Sequence, residues 1–257
     1  MNALADNLIF LHIPKAGGST LRTIFIDQHS RVNQDAESVY VINRTRDAPA
    51  FSKLSSKKKE KISLLIGHFA YGIHKELPGI SRYVTMLRDP VDRVLSAYHY
   101  SKSFERSDAF QIIQENNMDV VEFAEHYGGS WLINGQTKIL AGAEPQTSLS
   151  DEELYINALK NIENHFLYVG LLESFDRSLI HLQKVLNWST PYYTIRNKTR
   201  EKSSVDTHSL RKIQDLVKYD IALYEHCNKY FNRQGGLRES YALSKFKILN
   251  KVYGLTR

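Results

Sequence analysis

The stretch that most constrains this chain lies near its start and reads Asn7-Leu8-Ile9-Phe10-Leu11-His12-Ile13-Pro14-Lys15-Ala16-Gly17-Gly18-Ser19-Thr20-Leu21-Arg22. Residues 8–13 are almost wholly apolar, as a strand buried on both faces requires. Pro14 ends that run, because proline brings no ladder donor. Gly17 and Gly18 let the backbone turn closely with no side chain in the way. Ser19 and Thr20 suit the first turn of a helix that continues through Leu21, Ile24 and Phe25. Backbone N–H groups at such a helix start point outward and carry partial positive charge, which makes an anion site. Lys15 adds a full charge at its mouth. In a Walker A loop, G-x-x-x-x-G-K-[ST], the lysine follows the glycines; here it precedes them.

The rest of the chain repeats the alternation of strand and helix. Residues 38–42, 62–66, 82–87 and 166–171 read as short apolar strands, with helical spacing after 90, over 150–164 and after 175. That alternation predicts an α/β fold: a three-layer sandwich of P-loop type, its sheet mostly parallel, with helices on both faces and extra helices at the C-terminal end. Ligands in such folds sit at the carboxyl ends of the strands, where Lys15, His68 and Arg88 all fall. Two late helices are expected near 206–217 and 221–231. Gly235-Gly236 then breaks the chain, so the expected organisation is one domain over residues 1–236 and a helical tail over 237–257. The tail alternates basic and apolar positions, which suits packing on the body or a weak contact with a membrane or partner. The run Lys57-Lys58-Lys59-Glu60-Lys61 reads as a solvated helix turn.

A chain of 257 residues buries a full core without staples. Its single cysteine, Cys227, excludes an internal disulfide and reads as a buried small side chain in a reducing compartment. No run approaches the roughly 18 apolar residues of a membrane span. Nor does the N-terminus carry a basic region followed by an apolar core, so a cytoplasmic location is expected. The formal charge of +6 suits anionic ligands. Nucleic acid is not among the expected partners, since the basic residues are scattered and no nucleic-acid-binding signature occurs. The oligomeric state is not legible.

A second motif is Tyr83-Val84-Thr85-Met86-Leu87-Arg88-Asp89-Pro90, followed by helical spacing through Val91, Val94, Leu95 and Tyr98. An arginine at a strand end grips a phosphate in a bidentate way, and Ser96 two turns along the helix adds a hydroxyl. P-K-x-G-G-[ST]-[ST] after a first strand resembles the 5′-phosphosulfate loop of sulfotransferases that use PAPS (3′-phosphoadenosine 5′-phosphosulfate). The R-D-P helix resembles their 3′-phosphate loop. With Gly67-His68 after a strand, the basic loop Arg196 to Lys202, and Tyr168-Val169-Gly170-Leu171-Leu172-Glu173-Ser174-Phe175, the chain resembles the heparan and uronyl 2-O-sulfotransferases and their bacterial relatives over residues 7–232.

The resemblance implies roles. Pro14, Lys15, Ala16, Gly17, Gly18, Ser19 and Thr20 hold the 5′-phosphosulfate, with Lys15 meeting charge on the leaving phosphate. Arg88 and Ser96 bind the 3′-phosphate, and Lys198 and Thr199 close over the nucleotide. His68 is the base, with His74 in reserve; imidazole suits that task because it titrates near neutrality. His12 reads as structural support, and Asn134-Gly135-Gln136-Thr137-Lys138 is a polar cluster with no assigned role. The implied reaction is sulfuryl transfer from PAPS to an acceptor hydroxyl, leaving PAP (adenosine 3′,5′-bisphosphate), with an oligo- or polysaccharide acceptor. A sulfuryl group is less negative than a phosphoryl group, so no metal is expected; no Walker-type aspartate, H-E-x-x-H or Cys/His cluster is seen. Two other readings stay open: a P-loop kinase acting on a nucleotide or small molecule with ATP and Mg²⁺, and a non-catalytic module that binds PAPS or PAP.

Overall fold

The computed structural model describes residues 7–105, 107, 109–126, 129–143, 146–194, 205–233 and 237–255. From the start, β1 (Asn7–Leu11) leads to α1 (Gly18–Ser30), β2 (Val39–Ile42), the short α2 (Ala48–Ser52) and α3 (Ser56–Lys59), β3 (Leu64–Gly67) and β4 (Ser81–Leu87). A helical stretch follows: α4 (Pro90–Ser103), α5 (Phe110–Glu115), α6 (Val120–His126), α7 (Gly129–Leu132), α8 (Gly135–Ala141) and α9 (Asp151–His165). Then come β5 (Phe166–Leu171), α10 (Phe175–Val185), α11 (Thr207–Leu216), α12 (Lys218–Arg233) and α13 (Leu237–Leu255).

The strands form one sheet in the order β2-β3-β1-β4-β5, and every pairing is parallel. β1 is central, pairing Leu8 with Leu64 on one side and with Arg82 on the other. Its residues Ile9, Phe10 and Leu11 are therefore buried from both faces and both edges. On one face Phe10 stacks on Phe25 of α1 at 4.6 Å, and Phe25 meets Trp188, beyond α10, edge-on. On the other face Tyr83, the register partner of Ile9, packs against Tyr71 and Phe166 beside α9. Helices thus cover both faces, as the alternation predicts. A second apolar cluster joins α4, α5, α6 and α11 through Val94, Ile113, Phe123 and Ile213.

The chain leaves β1 toward β2 on one side and leaves β4 toward β5 on the other. The direction of travel therefore reverses between β1 and β4, and the crevice beyond their carboxyl ends is where such a sheet takes a ligand.

Most boundaries follow the pattern of the sequence, and β5 has the bounds expected. β1 is shorter than the apolar run. The His12 N–H still donates to the Gly67 carbonyl, but the Ile13 carbonyl accepts from the Ala16 N–H and turns the chain. The lysine run forms α3 as expected, yet Lys59 folds inward and pairs with Glu76 at 2.9 Å. Cys227 is buried. Helix α13 packs on α10, where Glu239 pairs with Arg177 and with His181. No helix among the described residues is long and apolar enough to cross a membrane.

Candidate active site

The loop between β1 and α1 takes its shape from backbone conformations that few residues adopt. Lys15 has φ 67° and Gly17 φ 75°, in the left-handed region that favours glycine. Gly18 is required for space: a Cβ there would lie 1.7 Å from Nε2 of His12, whose ring fills the floor of the loop. Helix α1 has Gly17 as its N-cap and no side chain capping its first turn. The N–H groups of Gly18, Ser19 and Thr20 consequently lack intrahelical partners, and they begin the helix that follows the carboxyl end of β1.

Lys15 places Nζ 3.8 Å from the centre of the Tyr100 ring, on α4. Burial draws its pKa down to about 8, and the nearby Arg88 adds to that effect. Arg88 follows β4 and donates from Nη1 to the Lys15 carbonyl at 3.1 Å, so the two loops are joined directly. Its backbone is clamped by Gln136, which accepts from the Arg88 N–H at 3.1 Å and donates to the Arg88 carbonyl at 2.9 Å. Asp89 caps α4 by accepting from the Asp92 N–H. Its own N–H donates to Glu173, which Tyr224 also holds through a 2.8 Å hydrogen bond. Ser96 lies two turns along α4 and is buried.

His68 stands at the end of β3, on the other side of β1. Its Nδ1 lies 2.8 Å from the His12 carbonyl oxygen. A carbonyl only accepts, so Nδ1 carries the proton and Nε2 keeps its lone pair. The His12 and His68 rings sit 4.1 Å apart. Burial lowers the pKa of His68, the bond to the His12 carbonyl opposes that, and the Arg22 charge lowers it further. His12 is drawn down to about 3, first by burial and then by His68 and Arg22. Both rings border a cavity of 580 Å³ whose polar lining includes Ser19, Arg22 and Asn43. Arg22 donates to Asn43 Oδ1 at 2.7 Å across it.

The Pro14-to-Thr20 loop, Arg88 and His68 therefore share the carboxyl edge of the sheet, and Ser96 lies on the helix that starts two residues after Arg88. His74 is elsewhere: its Nδ1 bonds the Tyr83 hydroxyl at 2.8 Å, beside His165 and the start of β5. Lys198 and Thr199 lie outside the described residues. The Asn134-to-Lys138 cluster turns inward. Asn134, Gln136 and Thr137 are buried and bond the backbone or carboxylate of Asp220. Tyr100 and Asn43 lie outside every motif, and Arg22 closes the Lys15 stretch with no role assigned to it there. Glu173 did sit in the V-G-x-x-E passage, and that passage was its one signal. No group of three or more metal-ligating side chains is found among the described residues.

The chain is similar to several known sulfotransferases. Two curated relatives are similar to the chain. One is a protein-tyrosine sulfotransferase of Arabidopsis thaliana, 37% identical over 100 residues, or 38% of this chain and 18% of the relative. The other is galactose-3-O-sulfotransferase 2 of Mus musculus, 23% identical over 248 residues, or 88% of this chain and 61% of the relative. The chain thus spans less than two thirds of either relative. Among solved structures it is similar to mouse sulfotransferase SULT7A1 complexed with PAP, at TM-score 0.38 and 14% identity over 86% of this chain and 68% of that one. It is also similar to a sulfotransferase from Alicyclobacillus acidocaldarius, at TM-score 0.44 and 14% identity over 87% and 96%. The resemblance to sulfotransferases is borne out, with the galactose-3-O-sulfotransferases matched in place of the heparan and uronyl 2-O-sulfotransferases. The model of that family matches residues 4–239, which takes in every strand of the sheet and the loops at Lys15, His68 and Arg88, and the chain belongs to the galactose-3-O-sulfotransferase family.

Proposed function

We propose that the chain transfers the sulfuryl group of PAPS to a hydroxyl of a carbohydrate acceptor by in-line displacement, with His68 as the base. The observation that carries this reading is the row of groups along the carboxyl edge of β3, β1 and β4. A neutral-prone imidazole, an uncapped helix start with a lysine, and an arginine bonded to that lysine's carbonyl stand side by side. A nucleotide with phosphates at both ends of its ribose needs two adjoining anion grips. The Lys15 loop and the Arg88–Ser96 helix offer them, and the hydrogen bond between the loops fixes their separation.

The residues act as follows. The first-turn N–H groups of α1 and the ammonium of Lys15 hold the 5′-phosphate and meet the charge that grows on it as the sulfur–oxygen bond breaks. Arg88 and Ser96 hold the 3′-phosphate. Lys198 and Thr199 are assigned to closure over the nucleotide on the resemblance alone. His68, its Nδ1 proton engaged by the His12 carbonyl, takes the acceptor's proton at Nε2 as the acceptor oxygen attacks sulfur. Arg22 and Asn43 border the cavity next to His68 and supply polar contacts of the kind a sugar requires. The sugar acceptor rests further on the family and on the mouse relative's name.

Calorimetric titration with adenosine 3′,5′-bisphosphate, beside ATP with Mg²⁺, tests this. Tight binding of the bisphosphate, lost in Arg88→Ala, is expected. Binding of ATP alone, only with the metal, would sink the sulfotransfer reading and favour a kinase.

A further inference from the structure

Helix α13 carries apolar side chains on two opposite faces. One face is docked on the body: Tyr192 stacks on Phe246 at 5.8 Å and on Tyr253, and the Tyr193 N–H donates to Asn250 at 2.7 Å. The other face has nothing on it among the described residues. Tyr241, Ile248, Val252 and Leu255 are exposed by 74%, 66%, 53% and 79%. Their spacing of i, i+7, i+11 and i+14 puts them in a single stripe at 100° per residue.

Charge borders that stripe. Lys245 lies along one side and Lys251 and Lys247 along the other, all exposed. Residues 240–255 hold no aspartate or glutamate. The nearest acid, Glu239, is buried and paired with Arg177 and His181. A second copy of the helix would set lysines against lysines with no acid to offset them. An anionic lipid surface supplies what both parts of the face lack, an apolar layer beneath a layer of negative charge.

We propose that α13 is an interfacial anchor that lies flat on an anionic membrane, with the Tyr241–Leu255 stripe at the headgroup–acyl boundary and its lysines on the lipid phosphates. The helix lies on the bilayer and does not span it. Its body-facing side is already packed on Tyr192 and Tyr193, so the helix docks with the body attached to it.

The test is co-sedimentation of the full chain with vesicles of phosphatidylcholine alone or mixed with phosphatidylglycerol. Binding about tenfold stronger to the anionic vesicles, weakening with salt, is expected. The double variant Ile248→Ser with Val252→Ser keeps every lysine and should bind about tenfold more weakly. Lys245→Gln with Lys251→Gln should lose most of the preference for anionic lipid. These positions are exposed, so an unchanged circular dichroism spectrum and melting point confirm that each variant folds. Equal binding by the Ile248/Val252 variant would show charge alone at work and overturn the anchor. So would absence of vesicle binding, with or without a dimer in sedimentation velocity that the same variant dissociates.

Discussion

Nδ1 of His68 lies 2.8 Å from the carbonyl oxygen of His12, the residue whose ring also lies against Gly18. One short segment therefore sets both the base and the anion loop. Burial lowers the pKa of His68 below the ordinary imidazole value of 6.5 and that of Lys15 to about 8. The base must be neutral and the lysine charged. In the free enzyme kcat/KM should thus fall as pH drops through a value below 6.5, and fall again as pH rises through about 8. His12 at about 3 stays neutral throughout this window. His68→Ala should lower kcat by about 10²–10⁴-fold and leave bisphosphate affinity unchanged. Turnover that survives the substitution, or an acid limb well above 6.5, removes His68 from the role of base.

Gly18→Ala should be poorly tolerated, because the new Cβ would lie 1.7 Å from His12 Nε2. Displacing a packed ring costs about 1–3 kcal/mol, and here it also disturbs the first-turn N–H groups. Shortening the ring relieves the clash, so Gly18→Ala combined with His12→Ala should be less destabilised than the two single variants summed. Chemical denaturation of the three proteins decides the matter: strict additivity would show that the ring and the glycine do not constrain one another.

The carboxylate of Asp220, fully buried on α12, accepts from the Thr137 N–H at 2.7 Å, the Thr137 hydroxyl at 2.8 Å and the Gln136 N–H at 3.1 Å. It also faces the buried Arg93 guanidinium at 3.4 Å. Asp220→Ala leaves that cation unpaired and should destabilise the fold by about 3–5 kcal/mol. Gln136 clamps the Arg88 backbone, so bisphosphate affinity should weaken as well, measured under conditions where the variant is folded. Native affinity in a folded variant would detach the buried network from the nucleotide grip.

How much of this was legible beforehand depends on sequence distance. The loops at Lys15 and Arg88 are local: a strand, a few special residues and a helix start are enough to show them. So is β5, bounded by the capped α9 and the turn into α10. Gln136 was not legible as the clamp on Arg88, because 48 residues separate them and only the packing of α8 brings them together. The same holds for Tyr100 over Lys15 and for Glu173 on Asp89. His74 looked as eligible as His68 by residue type, and only its bond to the Tyr83 hydroxyl shows that it faces another part of the sheet. β1 ends two residues before the apolar run does, because Ile13 continues the run while its carbonyl already turns the chain.

Glu239 fastens the start of α13 to α10, and its ionisation gives that attachment a pH dependence. The hydrogen bond from Arg177 chiefly, and that from His181 after it, hold its pKa down to about 2 against an ordinary 4.5. A carboxyl depressed in the folded state contributes stability that is fully present above its unfolded pKa and lost as pH falls through the folded one. The parent should therefore be more stable than Glu239→Gln at neutral pH, by about 1–3 kcal/mol for charge-assisted hydrogen bonds. That gap should stay constant down to about pH 5 and close as pH approaches 2. Urea unfolding of both proteins across this range measures it, and limited proteolysis reports whether α13 is released first. A gap that persists undiminished at pH 2.5 would mean that the carboxylate charge is not what holds the helix, leaving the packing of Phe246 and Tyr253 against Tyr192 to do so.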